Sequence, residues 1–162
     1  MHAATDVTGF GLLGHLIEMV RASEVDVTLA IERVPLLEGA RETVALGIFS
    51  SLQPQNVRLR RAIRELAAAT RHPLYPLLFD PQTSGGLLAA VPLAQAEGCV
   101  AALRAGGYVG ADLIGFVAAR SAALEPVTLD LTGERLAQAL AELSAVRPRV
   151  QLLQQDTEQS AL

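Results

Sequence analysis

The sequence predicts an α+β domain in which helices cover a mixed β-sheet. Three observations carry this. Large aliphatic residues recur at helical spacing over Thr8 to Ser23, a strict alternation follows over Val25 to Ile31, and a short apolar run, Leu87 to Val91, leaves a loop of turn-forming residues. Within the first stretch Leu12, Leu13, Leu16, Ile17 and Val20 share one face, and Thr5, Asp6 and Thr8 are candidate N-caps. In the second, Val25, Val27, Leu29 and Ile31 alternate with Asp26, Thr28 and Ala30, the pattern of a strand with one buried face. A shorter helix is expected over Leu37 to Ala45, ending near Gly47. Ser50 to Asn56 is turn-like, Pro54 stops any continuation, and Asn56 is placed to cap a helix running to about Thr70. His72-Pro73 and Tyr75-Pro76 predict an extended connection, because the residue before proline avoids the helical region.

The remaining elements follow the same logic. Leu87 to Val91 fits a strand buried on both faces. Leu93 to Ala105 reads as a helix closed by Gly106-Gly107, Leu113 to Val117 and Val127 to Leu131 as strands, and Gly133 to Ser144 as a last helix with Leu136, Leu140 and Leu143 on one side. From about Arg147 onward the chain is polar and is expected to be disordered. No repeat and no internal domain boundary is visible.

Composition narrows the functional classes. Apolar residues make up 51% of the 162 but aromatics only 4%, so the core must be built from Ala, Leu, Val and Ile at close backbone approach. A net charge of −4 argues against a nucleic-acid surface, which needs clustered Lys and Arg. The one basic cluster, Arg58, Arg60, Arg61 and Arg64, reads as the solvated face of a helix. The single Cys99 excludes an internal disulfide and a cysteine-based metal site, and its apolar neighbours predict a buried, inert thiol. No run approaches the ~20 apolar residues of a membrane span, and the N-terminus lacks a signal-peptide pattern, so no membrane partner and a cytoplasmic location are expected. The abrupt start before His2-Ala-Ala-Thr-Asp predicts a piece of a longer protein.

Two loops carry chemistry. Thr5-Asp-Val-Thr-Gly-Phe-Gly11 precedes a helix whose first N–H groups favour anions. Asp6 would repel a phosphate there unless a cation lay between them, and Mg²⁺ binds through one or two carboxylates plus phosphate oxygens. On this reading Asp6 is a metal ligand, and Gly9 and Gly11 are points of close backbone approach. The same residues also fit a plain helix cap with a tight entry turn. Asp80-Pro-Gln-Thr-Ser-Gly-Gly86 places two hydroxyls before two glycines, which suits a concave anion site of backbone N–H groups. It equally suits a simple turn in which Gly-Gly supplies positive φ. No Lys follows at the spacing of a P-loop. Of the histidines, His15 reads as a packed or rim residue, while His2 and His72 lack partner spacing for a metal.

Taken together, Ala4-Thr-Asp-Val-Thr-Gly-Phe-Gly-Leu-Leu-Gly-His15 and Asp80-Pro-Gln-Thr-Ser-Gly-Gly-Leu-Leu-Ala-Ala-Val91 resemble the two signatures of the C-terminal domain of selenophosphate synthetases (selenide, water dikinases). The resemblance covers about residues 3 to 131. It implies the three-layer fold that this domain shares with aminoimidazole ribonucleotide synthetase, over residues 1–146. It also implies an enzyme, usually a homodimer, that turns ATP, selenide and water into selenophosphate, AMP and orthophosphate with Mg²⁺. The nucleophile and most nucleotide and metal ligands would lie in an N-terminal ATP-binding domain absent from this chain, so the chain alone is expected to be inactive. Carried over residue by residue, the resemblance makes Asp6 a Mg²⁺ ligand and puts Thr8, Gly9, Thr83, Ser84, Gly85 and Gly86 on the ATP-facing surface. Pro54-Gln55-Asn56 departs from the family's Pro-Gly-Gly stretch before an Asn. The alternatives are the C-terminal domain of another ATP-using superfamily member, and a non-catalytic dimerisation or packing domain.

Overall fold

The computed structural model describes residues 1–142. Five strands, β1 (Ala3–Asp6), β2 (Val25–Ala30), β3 (Leu87–Ala90), β4 (Gly115–Ala119) and β5 (Val127–Asp130), interleave with helices α1 (Gly11–Ala22), α2 (Ala40–Ala45), α3 (Gln53–Asn56), α4 (Leu66–Ala69) and α5 (Ala96–Ala105). The class is α+β, as the sequence predicts, but the described strands form two sheets rather than one. An antiparallel pair, β1–β3, stands apart from a mixed sheet of order β4–β2–β5, in which β2 runs antiparallel to β4 and parallel to β5. One hydrophobic cluster joins the two sheets: Val7 and Leu88 beside the first, Leu13, Leu16, Ile17 and Val20 from α1, and Val27, Leu29, Val127 and Leu129 from the second. At ~25 cal/mol per Å² of apolar surface removed from water, this shared core is what fixes α1 between the sheets.

Several elements differ from their expected form for identifiable reasons. β1 was not foreseen, since Ala3–Asp6 has no apolar alternation and takes its order from the β3 ladder. β2 is buried on both faces, with Asp26 and Ala30 inside, because it is the central strand of its sheet. β3 is buried on one face only: Leu87 is 84% exposed. β4 begins two residues later than the expected Leu113. α3 forms inside the stretch Ser50 to Asn56 expected as a turn, with Pro54 in its first turn, and the helix predicted from Asn56 to Thr70 is broken into a 3-10 turn over Val57–Ala62, an extended Ile63 bridged to Val127, and α4. Asn56 does not cap it. Gln53 Nε2 donates to the Pro76 carbonyl and Asn56 Nδ2 to the Phe79 carbonyl, so the two amides tie α3 to the next segment. That segment is a 3-10 helix, Tyr75–Phe79, with Pro76 in its first turn, instead of an extended linker; burial of Tyr75, Leu78 and Phe79 overrides the pre-proline preference. Cys99 is half-buried rather than enclosed, as Ala96 is the one buried residue of α5. The last helix starts at 134, with the Asp130 carboxylate accepting from Gly133 and Leu136 N–H. Its expected end at Ser144 and the polar tail lie outside the described residues.

Arg58, Arg60 and Arg61 are solvated, as expected, but Arg64 is not. It donates to the Asp26 carboxylate at 2.6 Å, to the Glu125 carbonyl at 2.6 Å and to the Ser121 hydroxyl at 2.8 Å. Arg120 at 2.6 Å and the Ser121 N–H at 3.0 Å complete the set around Asp26, which is 5% exposed. Hydrogen bonds from Ser121, then those from Arg64 and Arg120, hold the Asp26 carboxyl far below the usual carboxylate range, against the opposing effect of burial. The unfolded chain therefore takes up this proton at about pH 4, where the folded chain does not. The stabilisation is complete above about pH 4 and is lost as pH falls toward the lowered folded value. Asp26→Asn is expected to lower the melting temperature by several degrees at neutral pH, with the gap to wild type narrowing below about pH 4. Melting curves across that range check this; a gap independent of pH would contradict it.

Candidate functional site

Directly opposed residues of an antiparallel pair share a face. In β1–β3 the pairs Thr5–Leu88 and Ala3–Ala90 turn toward the core, which leaves Ala4–Ala89 and Asp6–Leu87 on the exposed face. Asp6 thus stands at the end of β1 with its carboxylate in the open, and among the described residues no hydrogen bond or ion pair engages it. The loop that follows is held tightly. Val7 N–H donates to the Gly86 carbonyl at 2.9 Å, and Thr8 N–H donates to His15 Nε2 at 3.0 Å. The Thr8 carbonyl accepts from Gly11 N–H at 3.0 Å and from Gln82 N–H at 3.1 Å. Asn56 Nδ2 donates to the carbonyls of both Gly9 (2.9 Å) and Phe79 (3.0 Å). These bonds bring the two predicted loops, residues 5–11 and 80–86, into one structure.

Two glycines make that approach possible. Gly11 has φ +69°, and a Cβ there would sit 2.8 Å from the Phe79 carbonyl carbon. At Gly85 a Cβ would overlap the Val7 carbonyl oxygen. Gly9 corrects the expectation of close approach, for a Cβ there meets nothing within 4 Å, and the same holds at Gly86. Gly85 and Gly86 also lack positive φ, so the turn does not use them for backbone freedom.

The helix start differs from the expected cap. Phe10 occupies the N-cap position of α1 with no side-chain hydrogen bond, so Thr5, Asp6 and Thr8 do not cap it. Thr5 donates its hydroxyl to the Asp6 carbonyl, and the Thr8 hydroxyl lies 3.1 Å from His15 Nε2. Thr83, Ser84, Gly85 and Gly86 are exposed, and none of their N–H groups or hydroxyls bonds within the described chain. The first turn of α1 carries no acidic residue, so the positive end of its dipole faces this loop pair unopposed from within the helix.

The donor set decides what cation the site suits. Among the described residues no three His, Cys, Asp or Glu side chains converge as a metal site. Mg²⁺ needs less than that, because one or two carboxylates suffice when phosphate oxygens and waters fill its other positions. Asp6 with the loop N–H groups of residues 83–86 therefore fits a Mg²⁺–phosphate unit as one side of a site, and does not fit a self-sufficient metal centre.

Three residues of this arrangement escaped sequence reasoning. Asn56 and Gln82 act on backbone carbonyls, which no side-chain spacing marks. His15, 7% exposed, reaches back from α1 to the Thr8 N–H; its spacing of seven residues from Thr8 was the available signal.

The family model for AIR synthase related protein, C-terminal domain, matches residues 1–124. A selenide, water dikinase of Clostridioides difficile (strain 630) is 38% identical over 117 residues, 72% of this chain and 34% of that protein. Another, from Pelobacter propionicus, is 44% identical over 117 residues, again 72% and 34%. A third, from Rhizobium meliloti (strain 1021), is 38% identical over 128 residues, 79% and 37%. The chain thus spans about a third of the length of these curated relatives. β5, integral to the mixed sheet, lies beyond the matched stretch. No helix among the described residues is long and apolar enough to cross a membrane.

Proposed function

The chain belongs to the AIR synthase related protein, C-terminal domain family, on its selenophosphate synthetase side, and from that premise we propose that it completes the active site of a selenide, water dikinase. The reaction consumes ATP, selenide and water and releases selenophosphate, AMP and orthophosphate. The observation that carries this reading is the clamped loop pair with the Asp6 carboxylate exposed beside it and unpaired among the described residues. Asp6 supplies one carboxylate oxygen to Mg²⁺, which when bound neutralises charge growing on the phosphate oxygens. Thr83 to Gly86 present hydroxyls and N–H groups to the phosphates, and the Thr8–Gly9 turn adds the Gly9 N–H. The nucleotide itself is held by an N-terminal ATP-binding domain that the relatives' greater length accommodates. Leu87, opposite Asp6, and Phe10 are 84% and 56% exposed, which supports an apolar seat for that domain at the rim of the site. The assembled enzyme acts as a homodimer in the cytoplasm.

Calorimetric titration with Mg²⁺–ATP tests the shared site. This chain alone is expected to bind weakly or not at all, whereas the full-length enzyme binds tightly and cleaves ATP only when selenide is present. Equal affinity of chain and whole would contradict the shared site; selenide-independent cleavage would move the chain to another ATP-using branch of the family.

A further inference from the structure

His15 is the one histidine of the chain enclosed by the fold, and its ring does more than fill space. It sits on α1 beneath the Asp6 loop, tilted at 52° to the exposed Phe10 ring with centroids 5.8 Å apart. Its Nε2 lies 3.0 Å from the Thr8 backbone nitrogen and 3.1 Å from the Thr8 hydroxyl. A backbone N–H can only donate, so Nε2 must present its lone pair and the ring proton of the neutral form must reside on Nδ1. Nδ1 faces the Glu18 carboxylate, one turn along α1, at 3.5 Å and outside hydrogen-bond geometry. A proton on Nδ1 is favoured by that neighbouring negative charge, whereas one on Nε2 would point at another N–H.

Thr8 is the knot of the site. Its N–H goes to His15, while its carbonyl takes both Gly11 N–H at the head of α1 and Gln82 N–H from the second loop. The usual arrangement at a helix start is a side chain ahead of the helix accepting from N–H groups inside it. Here the direction is reversed, and a side chain inside the helix accepts from the loop ahead of it. We propose that His15, held as the Nδ1-protonated tautomer, is the positioning residue of the Asp6 loop: by fixing the Thr8 N–H it sets the distance between Asp6 and the residue 83–86 loop. The geometric part stands on the contacts alone; its consequence for cation binding rests on the reading of Asp6 as a Mg²⁺ ligand.

The test separates the two. In this chain with ¹⁵N-labelled histidine, at about pH 8 so that an ordinary imidazole is neutral, the His15 ring is expected to show a bare Nε2 and a protonated Nδ1. A protonated Nε2 overturns the proposal whatever Asp6 does, and needs no variant to be made. His15→Gln puts an amide oxygen close to where Nε2 sits, while His15→Leu keeps bulk and removes the acceptor. Exchange of the Thr8 amide proton is expected to accelerate on the order of tenfold or more in His15→Leu and little in His15→Gln. In the full-length enzyme the Mg²⁺ concentration giving half-maximal ATP turnover is expected to rise on the order of tenfold in His15→Leu, with His15→Gln close to wild type. Equal Mg²⁺ dependence in both variants, with Asp6→Asn inactive, overturns the positioning role and leaves the site assignment standing. The expected tautomer and amide exchange alongside an active Asp6→Asn enzyme does the reverse.

Discussion

Asp6→Asn in the full-length enzyme is expected to abolish selenide-dependent ATP turnover, by at least about a hundredfold, while leaving the fold intact. The amide keeps the size and shape of the carboxylate, removes its charge and replaces one accepting oxygen with a donating NH2. A helix cap would tolerate that exchange, since Asn caps as well as Asp. A cation ligand would not, because an amide oxygen lacks the charge that offsets dehydration of Mg²⁺. The Asp6 side chain has no partner among the described residues and caps nothing, so its replacement should change stability by no more than about 0.5 kcal/mol. Steady-state turnover paired with a melting curve separates the two effects. Near-normal turnover would retire Asp6 as a ligand.

The second large effect is structural and comes from a pair of adjacent glycines. Gly85→Ala places a Cβ onto the Val7 carbonyl oxygen, a backbone atom with nowhere to go, since Val7 N–H is itself bonded to the Gly86 carbonyl. Relief requires β3 to lift from β1 at the point where the two loops meet. A cost of about 3 kcal/mol is expected for such overpacking, or a fall of roughly 6–12 °C in Tm for a chain of this size. Gly86→Ala meets nothing within 4 Å and needs no special backbone conformation, so its Tm should stay within a degree or two. Thermal unfolding of the two variants side by side decides the point. Equal melting temperatures would mean that the loops do not pack as described.

How much of this was legible beforehand depends on what kind of partner each residue meets. α1, β2 and β5 announce themselves because their apolar residues keep a period and face other side chains of the core. β1 is silent, because Ala3 and Thr5 on its inner face are small or polar and its order comes from a strand some eighty residues away. The stretch from Asn56 to Thr70 reads as helix, yet Asn56, like Gln53 just before it, uses its amide on a carbonyl of the segment 76–79, and Ile63 and Arg64 are drawn to β5 and Asp26. Asp26 itself alternates like a solvent-facing residue, and two arginines distant in sequence allow it inside. Asp6 and the glycine loop could be singled out as a motif. His15, Gln82 and Asn56, which hold that motif in place through backbone atoms, could not.

The claim everything else hangs on is that Asp6 reaches a divalent cation held jointly with another domain. A crystal structure of the full-length enzyme with Mg²⁺ and a non-hydrolysable ATP analogue measures it directly. The predicted result is an Asp6 carboxylate oxygen at about 2.1 Å from a Mg²⁺ that also contacts the nucleotide phosphates. A carboxylate turned to solvent or to a neighbouring N–H, with every cation ligated elsewhere, would contradict it.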